Sequence, residues 1–384
     1  MQTIDLDGDQ IEFVGAMELD HAANGVGIRR LPAWTRSRIP DPFMDAMVSA
    51  CSGVRIVFET DAEIVEIEAE VTSFRYVGRE PRPQVFQLVL DDDTPIDAAA
   101  NNTGYFVLDG SDPTNIGFEG GGLSSMRFAG LGAADGPRIR RCELWLPHSA
   151  TIRIAELRVD DGATVGRAAP TGRRTWIHYG SSISHCIEAD VPTGVWPAVA
   201  ARLGGVELHS FGFAGQCMLD QFVARTIRDA PADVISLKLG INIVNGDTMR
   251  ERTFVPAVHG FLDTVRDGHP DTPILIVSPI LCPSAEDAPG PTIVQADGTF
   301  ATVAGGEAIR VGCLTLRRIR ELLADIVASR AASDANLHYL DGLTLFGADD
   351  VGDLPDLLHP NAAGYVRMGE RFAAAAFALG GPLA

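Results

Sequence analysis

The segment TWIHYGSSIS (175–184) decides how the second half of the chain folds. Its first five residues form a short apolar run that ends at a glycine, and a serine-rich turn follows. The same order of apolar strand, turn and helix-compatible stretch recurs as far as residue 379. Strands that alternate with helices are typical of βαβ crossovers, which give a mostly parallel sheet with helices on both faces. We therefore predict a three-layer α/β/α domain over residues 175–384.

Four further strands and five helical stretches complete this pattern. The predicted strands cover residues 206–213, 233–239, 273–278 and 337–340, and the predicted helices cover residues 192–203, 218–227, 250–266, 307–330 and 362–379. The connection 279–303 contains several prolines and has little periodicity. Loops of this length in compact domains are often lids or binding loops, although a plain surface excursion explains the sequence equally well.

Residues 1–162 carry a different pattern, in which Val, Ile and Phe partly alternate with polar residues, as in half-buried strands. The predicted strands cover residues 54–60, 63–71, 84–90, 138–147 and 151–160, and turn-rich stretches lie at 91–93, 110–115 and 120–122. Many short strands separated by Gly and Asp predict an antiparallel β-sandwich of the jelly-roll type. The Pro-containing stretch 163–174 lacks periodicity and is the predicted linker between the two domains.

Length, charge and cysteine content exclude several classes of protein. At about 150 residues per domain, 384 residues agree with two domains. The net charge of −20 repels nucleic acids and anionic bilayers, so we expect neither as a partner. No apolar run approaches the ~18 residues that a membrane span needs, and the N-terminal residues lack the pattern of an export leader. The six cysteines are scattered without CxxC spacing, which favours a cytoplasmic protein.

Four short segments place reactive or hydrogen-bonding side chains where a ligand would bind in an α/β domain. Three of them follow predicted strands, whose carboxyl ends face the ligand in open α/β sheets, and one precedes the last helix. They are GSSIS (180–184), SFGFAG (210–215), LGIN (239–242) and DLLHPN (356–361). Each also has an ordinary explanation, because Ser and Asp commonly cap helices and Gly and Asn are frequent in turns.

Taken together, the four segments supply the groups of nucleophilic catalysis. A serine at a strand-to-helix turn is exposed, and backbone amides near it can face a developing anion. Asp356 and His359 lie three residues apart on one turn, so the carboxylate can orient the imidazole while its other nitrogen takes a proton from a serine. The Gly215 amide and the Asn242 side chain could donate hydrogen bonds to an oxyanion.

In this order the four segments resemble the blocks of the SGNH/GDSL serine acylhydrolase family, over residues 175–379. The resemblance implies that Ser182 is the nucleophile and that Asp356 and His359 are the acid and the base. It also implies an oxyanion hole made of the Ser182 amide, Gly215 and Asn242. These roles are carried over from the family's pattern, residue by residue.

Three positions depart from the family's pattern. Ser181 stands where the first block usually has aspartate, Ser210 where the second opens with asparagine, and Ile243 where the third ends in aspartate. None of these changes removes a catalytic group, so we expect an outlying branch of the family with altered hydrogen bonding around the nucleophile.

The resemblance implies ping-pong acyl transfer through an acyl-serine, with an ester or thioester as donor. A β-sandwich before an outlying SGNH domain is similar to two-domain carbohydrate esterases, which implies deacetylation of a sugar. The chain is also similar to family members that transfer a salicylyl group in tetracycline biosynthesis. That similarity implies an aryl-acyl coenzyme A donor as co-substrate, a polyketide alcohol as acceptor and no permanently bound cofactor. We favour transfer to a small-molecule alcohol. A carbohydrate-binding protein with an inactive hydrolase domain is the third hypothesis.

Other candidate groups have simpler explanations. His185 and Cys186 are adjacent and point about 100° apart on a helix, so we expect structural roles for both. His178 lies within a predicted strand and fits a core histidine. The acidic run 91–93 lacks the spacing of a calcium loop, and we predict no metal site. The apolar segment 280–283 is a candidate shield of the acyl-enzyme against water.

Overall fold

The computed structural model describes residues 1–78, 80–91, 94–109, 112–132, 136, 138–303, 305–306 and 310–384. The chain divides into two compact units. One consists of Met1–Gly172 with Asp190–Thr193, and the other of Arg173–Ala189 with Gly194–Ala384. Within these residues, every helix is too short or too polar to be a membrane-spanning segment.

The first unit consists mainly of short strands. They are β1 (Gln2–Ile4), β2 (Glu12–Val14), β3 (Glu18–Ala22), β4 (Gly25–Arg29), β5 (Arg55–Thr60), β6 (Ile64–Tyr76), β7 (Val85–Leu90), β8 (Ile96–Ala99), β9 (Gly104–Asp109), β10 (Asp112–Glu119), β11 (Leu123–Ala129), β12 (Arg140–Trp145), β13 (Ala150–Val159) and β14 (Val165–Gly166). One sheet has the order β10-β9-β6-β13-β4-β3, with β1 on β13 and β11 on β6. The other has the order β14-β5-β12-β7-β8, with β2 on β5.

The hydrophobic core of the first unit draws on both sheets. In β6 the core residues Val65, Ile67, Ala69 and Val71 alternate with the half-exposed residues between them, because successive side chains of a strand point to opposite faces. The predicted half-buried strand is therefore confirmed. Among the described residues the two sheets pair their strands antiparallel except for the parallel pair β6–β9, which departs from the purely antiparallel prediction. The chain reaches β9 only after crossing to the other sheet as β7 and β8, and such crossovers permit parallel pairing.

Two features of the first unit differ from the sequence-based expectation. A helix, α1 (Pro42–Ser49), was not predicted; the Asp41 side chain caps it by accepting a hydrogen bond from the Met44 amide. Most of the predicted turn 110–115 belongs to strand β10, while Gly110 and Ser111 lie outside the described residues. Asp92 and Asp93 of the predicted turn 91–93 also lie outside them.

The second unit is an α/β domain. Its strands are β15 (Arg174–Gly180), β16 (Val206–Gly212), β17 (Val234–Lys238), β18 (Ile274–Val277), β19 (Thr292–Val294), β20 (Phe300–Thr302) and β21 (Leu337–Leu340). Its helices are α2 (Ser182–His185), α3 (Trp196–Gly204), α4 (Gln221–Asp229), α5 (Ile241–Asn245), α6 (Glu251–Arg266), α7 (Leu316–Arg330) and α8 (Ala362–Phe372), and α8 continues into a π-helical turn, Ala373–Phe377. The central sheet is wholly parallel, in the order β16-β15-β17-β18-β21.

Side chains of β15 show why this sheet is covered on both faces. Trp176 packs against Trp196 of α3 and Phe372 of α8, whereas Tyr179, which points the other way, stacks on Phe261 of α6 at 5.4 Å. Strands buried on both faces are apolar almost throughout, which is why the sequence identified them. The predicted α/β fold class is confirmed.

Two connections in this unit differ from the prediction. Helix α7 begins at Leu316 rather than at residue 307, because Thr315 caps it by accepting a hydrogen bond from the Arg318 amide. Residues 307–309 lie outside the described part of the chain. The connection 279–303 is not structureless, since β19 and β20 pair there as an antiparallel hairpin.

Candidate active site

Helix α2 begins just after strand β15 of the central sheet and carries Ser182 as its first residue. The Ser181 hydroxyl caps the helix by accepting a hydrogen bond from the Ile183 amide. The helix can lie this close to the sheet because Gly212 has no side chain, as a Cβ there would lie 2.6 Å from the backbone carbon of Ser184. Ser182 is consequently half-buried at the carboxyl ends of β15 and β16.

The loop before α8 brings its histidine to this serine. His359 Nε2 lies 2.9 Å from Ser182 Oγ, and His359 Nδ1 lies 2.7 Å from Asp356 Oδ2. The other carboxylate oxygen of Asp356 accepts hydrogen bonds from the backbone amides of Leu358 and His359, at 3.0 and 2.7 Å. Ser182 thus forms one hydrogen-bonded chain with His359 and Asp356, which lie 177 and 174 residues further along the sequence.

The charges around His359 change its protonation. Burial alone lowers the pKa of His359, but the negative charge of Glu188 and the hydrogen bond that His359 donates to Asp356 outweigh burial and raise the pKa to about 9. For Asp356, burial raises the pKa, yet the hydrogen bonds and charge of His359 leave it below its ordinary value. The pair therefore favours a protonated imidazole beside an ionised carboxylate.

Glu188 is a member of this site that the sequence analysis missed. Its Oε1 lies 3.6 Å from His359 Nδ1, and its Oε2 accepts a hydrogen bond from the Tyr365 hydroxyl at 2.8 Å. Glu188 follows α2 after a short turn and Tyr365 lies on α8, so no local pattern links them. Oxygen and nitrogen atoms of Glu188, Asp356 and His359 lie within 4.8 Å of one another. The two imidazole nitrogens of His359 already lie within hydrogen-bond distance of Asp356 and Ser182. The absence of a metal from these three residues stays a prediction.

The two proposed oxyanion donors lie in a turn and in helix α5. Gly215 has a φ of +71° in a turn where the Gln216 amide donates to the Phe213 carbonyl. Asn242 is buried in α5, and its Oδ1 accepts a hydrogen bond from the Cys217 amide at 3.0 Å. That bond leaves the Nδ2 end of the Asn242 side chain to donate. The roles of both residues toward an oxyanion stay predictions.

A second serine–histidine contact lies deeper in the domain. His178 is fully buried, with Nε2 2.8 Å from Ser184 Oγ and Nδ1 2.7 Å from Ser236 Oγ. Burial, followed by the charge of Lys238, lowers the pKa of His178 to about 3, which keeps the imidazole neutral. His178 is therefore a hydrogen-bonded core residue.

Cys186 ends α2 in the left-handed conformation and is fully buried. Its thiol donates to the Ile183 carbonyl, and burial raises the pKa of the thiol well above its ordinary value. A thiol in this state is a poor nucleophile, which agrees with a structural role.

The β19–β20 hairpin lies against the catalytic histidine candidate. The Phe300 ring meets the His359 ring edge to face, with centroids 5.6 Å apart, and the Phe300 amide donates to the Asp356 carbonyl at 3.0 Å. At the other end, the Thr292 hydroxyl donates to the Asn245 side chain of α5. Ile280 and Cys282 are buried, and the role of the segment 280–283 as a shield against water stays a prediction.

The part of the chain that carries this site matches a known protein family. Residues 178–367 match the family described as GDSL-like Lipase/Acylhydrolase. No curated protein sequence matches the chain significantly. The match includes both members of the serine–histidine pair and Asp356.

Several solved structures are similar to the chain along almost their whole length. Salicylyl-acyltransferase SsfX3 from a tetracycline biosynthetic pathway is 26% identical over 96% of this chain and 95% of its own, with a TM-score of 0.79. A protein of Bacteroides ovatus ATCC 8483 assigned as a GDSL-like lipase is 19% identical over 95% and 94%, with a TM-score of 0.66. A family two carbohydrate esterase from Clostridium thermocellum, in complex with cellohexaose, is 14% identical over 95% and 97%, with a TM-score of 0.58. The last two share the fold alone, and residues 178–367 of the chain match a GDSL-like lipase/acylhydrolase domain.

Proposed function

We propose that the chain is a serine acyltransferase, which moves an acyl group from an activated donor to the hydroxyl of a small molecule. The observation that carries the proposal is the hydrogen-bonded chain from Ser182 through His359 to Asp356. Transfer, rather than hydrolysis, is supported by the similarity to a salicylyl-acyltransferase over 96% of the chain.

In the first half-reaction, His359 Nε2 takes the proton of Ser182 Oγ while that oxygen attacks the acyl carbonyl. The imidazolium that forms is stabilised by the Asp356 carboxylate, which accepts a hydrogen bond from the Nδ1–H group. When the tetrahedral intermediate collapses, the carbonyl carbon loses its bond to the leaving oxygen or sulfur. His359 returns the proton to that leaving group, and an acyl-Ser182 ester remains.

The negative charge of the tetrahedral intermediate needs hydrogen-bond donors. We assign this role to the backbone amides of Ser182 and Gly215 and to Nδ2 of Asn242. A preorganised donor of this kind typically contributes ~10²–10³ in rate. The bond from the Cys217 amide to Asn242 Oδ1 supports the assignment, because it orients the side-chain amide before the substrate binds.

In the second half-reaction, His359 deprotonates the acceptor hydroxyl, which attacks the acyl-serine and releases Ser182. Water competes with the alcohol at this step. The apolar ring of Phe300 beside His359 supports transfer, because an apolar wall lowers the local concentration of water. The proposed donor is an aryl-acyl coenzyme A thioester such as salicylyl coenzyme A, bound as a co-substrate. The proposal includes a cytoplasmic location and needs neither a resident cofactor nor a metal.

Hydrolysis of a carbohydrate ester is the second candidate function. The fold shared with a family two carbohydrate esterase favours it, and the same three side chains would serve it with water as acceptor. A carbohydrate-binding protein with an inactive hydrolase domain is the weakest candidate. The short Ser182–His359 distance argues against an inactive site.

Labelling with a fluorophosphonate tests the nucleophile. The unmodified chain should react, Ser182→Ala should not, and Ser181→Ala should keep most of the labelling because that hydroxyl only caps α2. Labelling that persists in Ser182→Ala would refute the assignment.

Product analysis separates the two enzyme functions. Salicylyl coenzyme A is supplied with and without an aromatic polyketide alcohol, and acyl ester is measured against free acid. Ester should dominate at high alcohol concentration. If free acid dominates under all conditions, the chain is a hydrolase.

A further inference from the structure

Glu188 approaches the histidine from a different element than Asp356 does. We infer that Glu188 is a second carboxylate partner of His359, a positioning residue whose charge stabilises the imidazolium together with Asp356. This inference rests on the proposed function, since it concerns the base of that reaction.

The geometry gives the histidine two acidic neighbours at one nitrogen. Asp356 Oδ2 lies 2.7 Å from His359 Nδ1 and Glu188 Oε1 lies 3.6 Å from it. Asp356 approaches from the loop that also carries His359, whereas Glu188 approaches from the segment after α2. The carboxylates are mostly shielded from water, with 15% and 18% of their side-chain surfaces exposed. At this burial a charge at 3.6 Å is screened much less than on the surface.

Tyr365 fixes Glu188 in this position. Its hydroxyl donates a hydrogen bond of 2.8 Å to Glu188 Oε2, which leaves Oε1 toward the imidazole. Tyr365 is fully buried on α8, so the bond is held by the core of the domain.

In the part of the chain that the structure describes, the other side chains in contact with His359 carry no charge. They are the Ser182 hydroxyl from α2 and the Phe300 ring from the hairpin. The two carboxylates therefore set the electrostatic environment of the imidazole. Of the effects that raise the pKa of His359 against its burial, the charge of Glu188 is the largest.

This arrangement has opposite effects on the two states of the base. The imidazolium formed in each half-reaction is stabilised by two carboxylates, which lowers the barrier to proton transfer. The resting imidazole is mostly protonated at neutral pH, so it can accept the serine proton only as pH rises. Reactivity of Ser182 should increase with pH up to about 9, where His359 titrates.

The rate of fluorophosphonate labelling as a function of pH tests the inference without knowledge of the substrate. We compare the full chain with Glu188→Gln and with Glu370→Gln, which removes an exposed carboxylate from the helix that carries Tyr365. In Glu188→Gln the midpoint of the rising limb should fall by about one pH unit, as expected for the loss of an adjacent charge. At alkaline pH the labelling rate should fall several-fold, because the imidazolium loses one partner. Glu370→Gln should leave both unchanged.

Tyr365→Phe is the second variant, in case Glu188→Gln does not fold. It leaves the carboxylate in place but removes its hydrogen bond, so the midpoint should move in the same direction by a smaller amount. A midpoint at the original pH in the folded variants would overturn the role of Glu188. Because Ser182 would still be labelled, that outcome is distinct from failure of the proposed function, which requires labelling to persist in Ser182→Ala.

Discussion

The side-chain oxygen of Asn242 accepts a hydrogen bond from the backbone amide of Cys217 over 3.0 Å. Asn242 lies at the start of α5, just after strand β17, and Cys217 lies in the turn after β16. The bond therefore joins two of the segments that follow parallel strands. It also fixes which end of the Asn242 amide is free to donate.

Substitution of Asn242 should lower the turnover of the enzyme far more than its affinity for substrate. Asn242→Ala removes an oxyanion donor, so kcat should fall by about 10²–10³ with little change in KM. Asn242→Asp keeps an acceptor for the Cys217 amide but places a negative charge near the oxyanion, and it should lose at least as much. Steady-state kinetics with an activated ester measures both. An active Asn242→Asp enzyme would contradict the role of the amide.

Two substitutions of Asp356 should differ because Glu188 is nearby. Asp356→Asn presents an amide that can donate to Nδ1, which favours the tautomer that cannot accept the serine proton; a loss of about 10⁴ in kcat is expected. Asp356→Ala leaves Glu188 as the carboxylate nearest to Nδ1, so the loss should be about tenfold smaller. Kinetics of both variants, together with the Asp356→Ala/Glu188→Gln double variant, measures the difference. Equal losses in the two single variants would contradict it.

Removal of the Phe300 ring should admit water to the acyl-enzyme. Phe300→Ala keeps the backbone hydrogen bond to Asp356 but opens the apolar side of His359, so the ratio of free acid to ester should rise several-fold. Product analysis at fixed alcohol concentration measures the ratio. Ile293→Ala, an exposed position on the other strand of the hairpin, is the matched control. The same ratio in Phe300→Ala and the control would count against a shielding hairpin.

Lys238, the one lysine of the sequence, should destabilise the fold at neutral pH. Burial lowers its pKa from the ordinary 10.5 to about 8, against smaller opposing effects of Cys217 and Cys186. A base whose pKa is lowered in the folded chain reduces the free energy of unfolding below pH 8. This destabilisation disappears as pH rises toward 10.5. Lys238→Met should therefore gain on the order of 2 kcal/mol at neutral pH and much less at alkaline pH. Denaturant unfolding at the two pH values measures this, and an equal change at both would contradict it.

The central sheet of the second unit could be predicted from the sequence because each of its strands is a short, mostly apolar segment. Strands β17 and β18 are buried throughout; β18 is a continuous apolar run, and β17 is apolar except for Ser236 and Lys238. The start of α7 was missed because the irregular residues before Thr315 have a composition compatible with a helix. The parallel pair β6–β9 depends on a crossover between sheets, and no periodicity encodes it.

The same distinction holds for the candidate site. Ser182, Asp356 and His359 were found because each belongs to a short motif beside a strand or a helix start. Glu188 and the Cys217 amide were not found, because their roles depend on contacts with residues that are remote in sequence. When a carboxylate contacts a histidine from another element, no short sequence motif contains both residues, so the contact cannot be predicted from such motifs.

The buried contact between Ser184 and His178 gives the molecule an internal comparison for its reactive pair. Both pairs consist of a hydroxyl within 3 Å of an imidazole nitrogen, and their serines are two residues apart. Only Ser182 has solvent access, since Ser184 and His178 have no exposed surface. A serine-directed reagent that modifies Ser184 would therefore report transient local unfolding of strand β15 and helix α2. The Ser184 hydroxyl is thus a natural probe for the stability of this region.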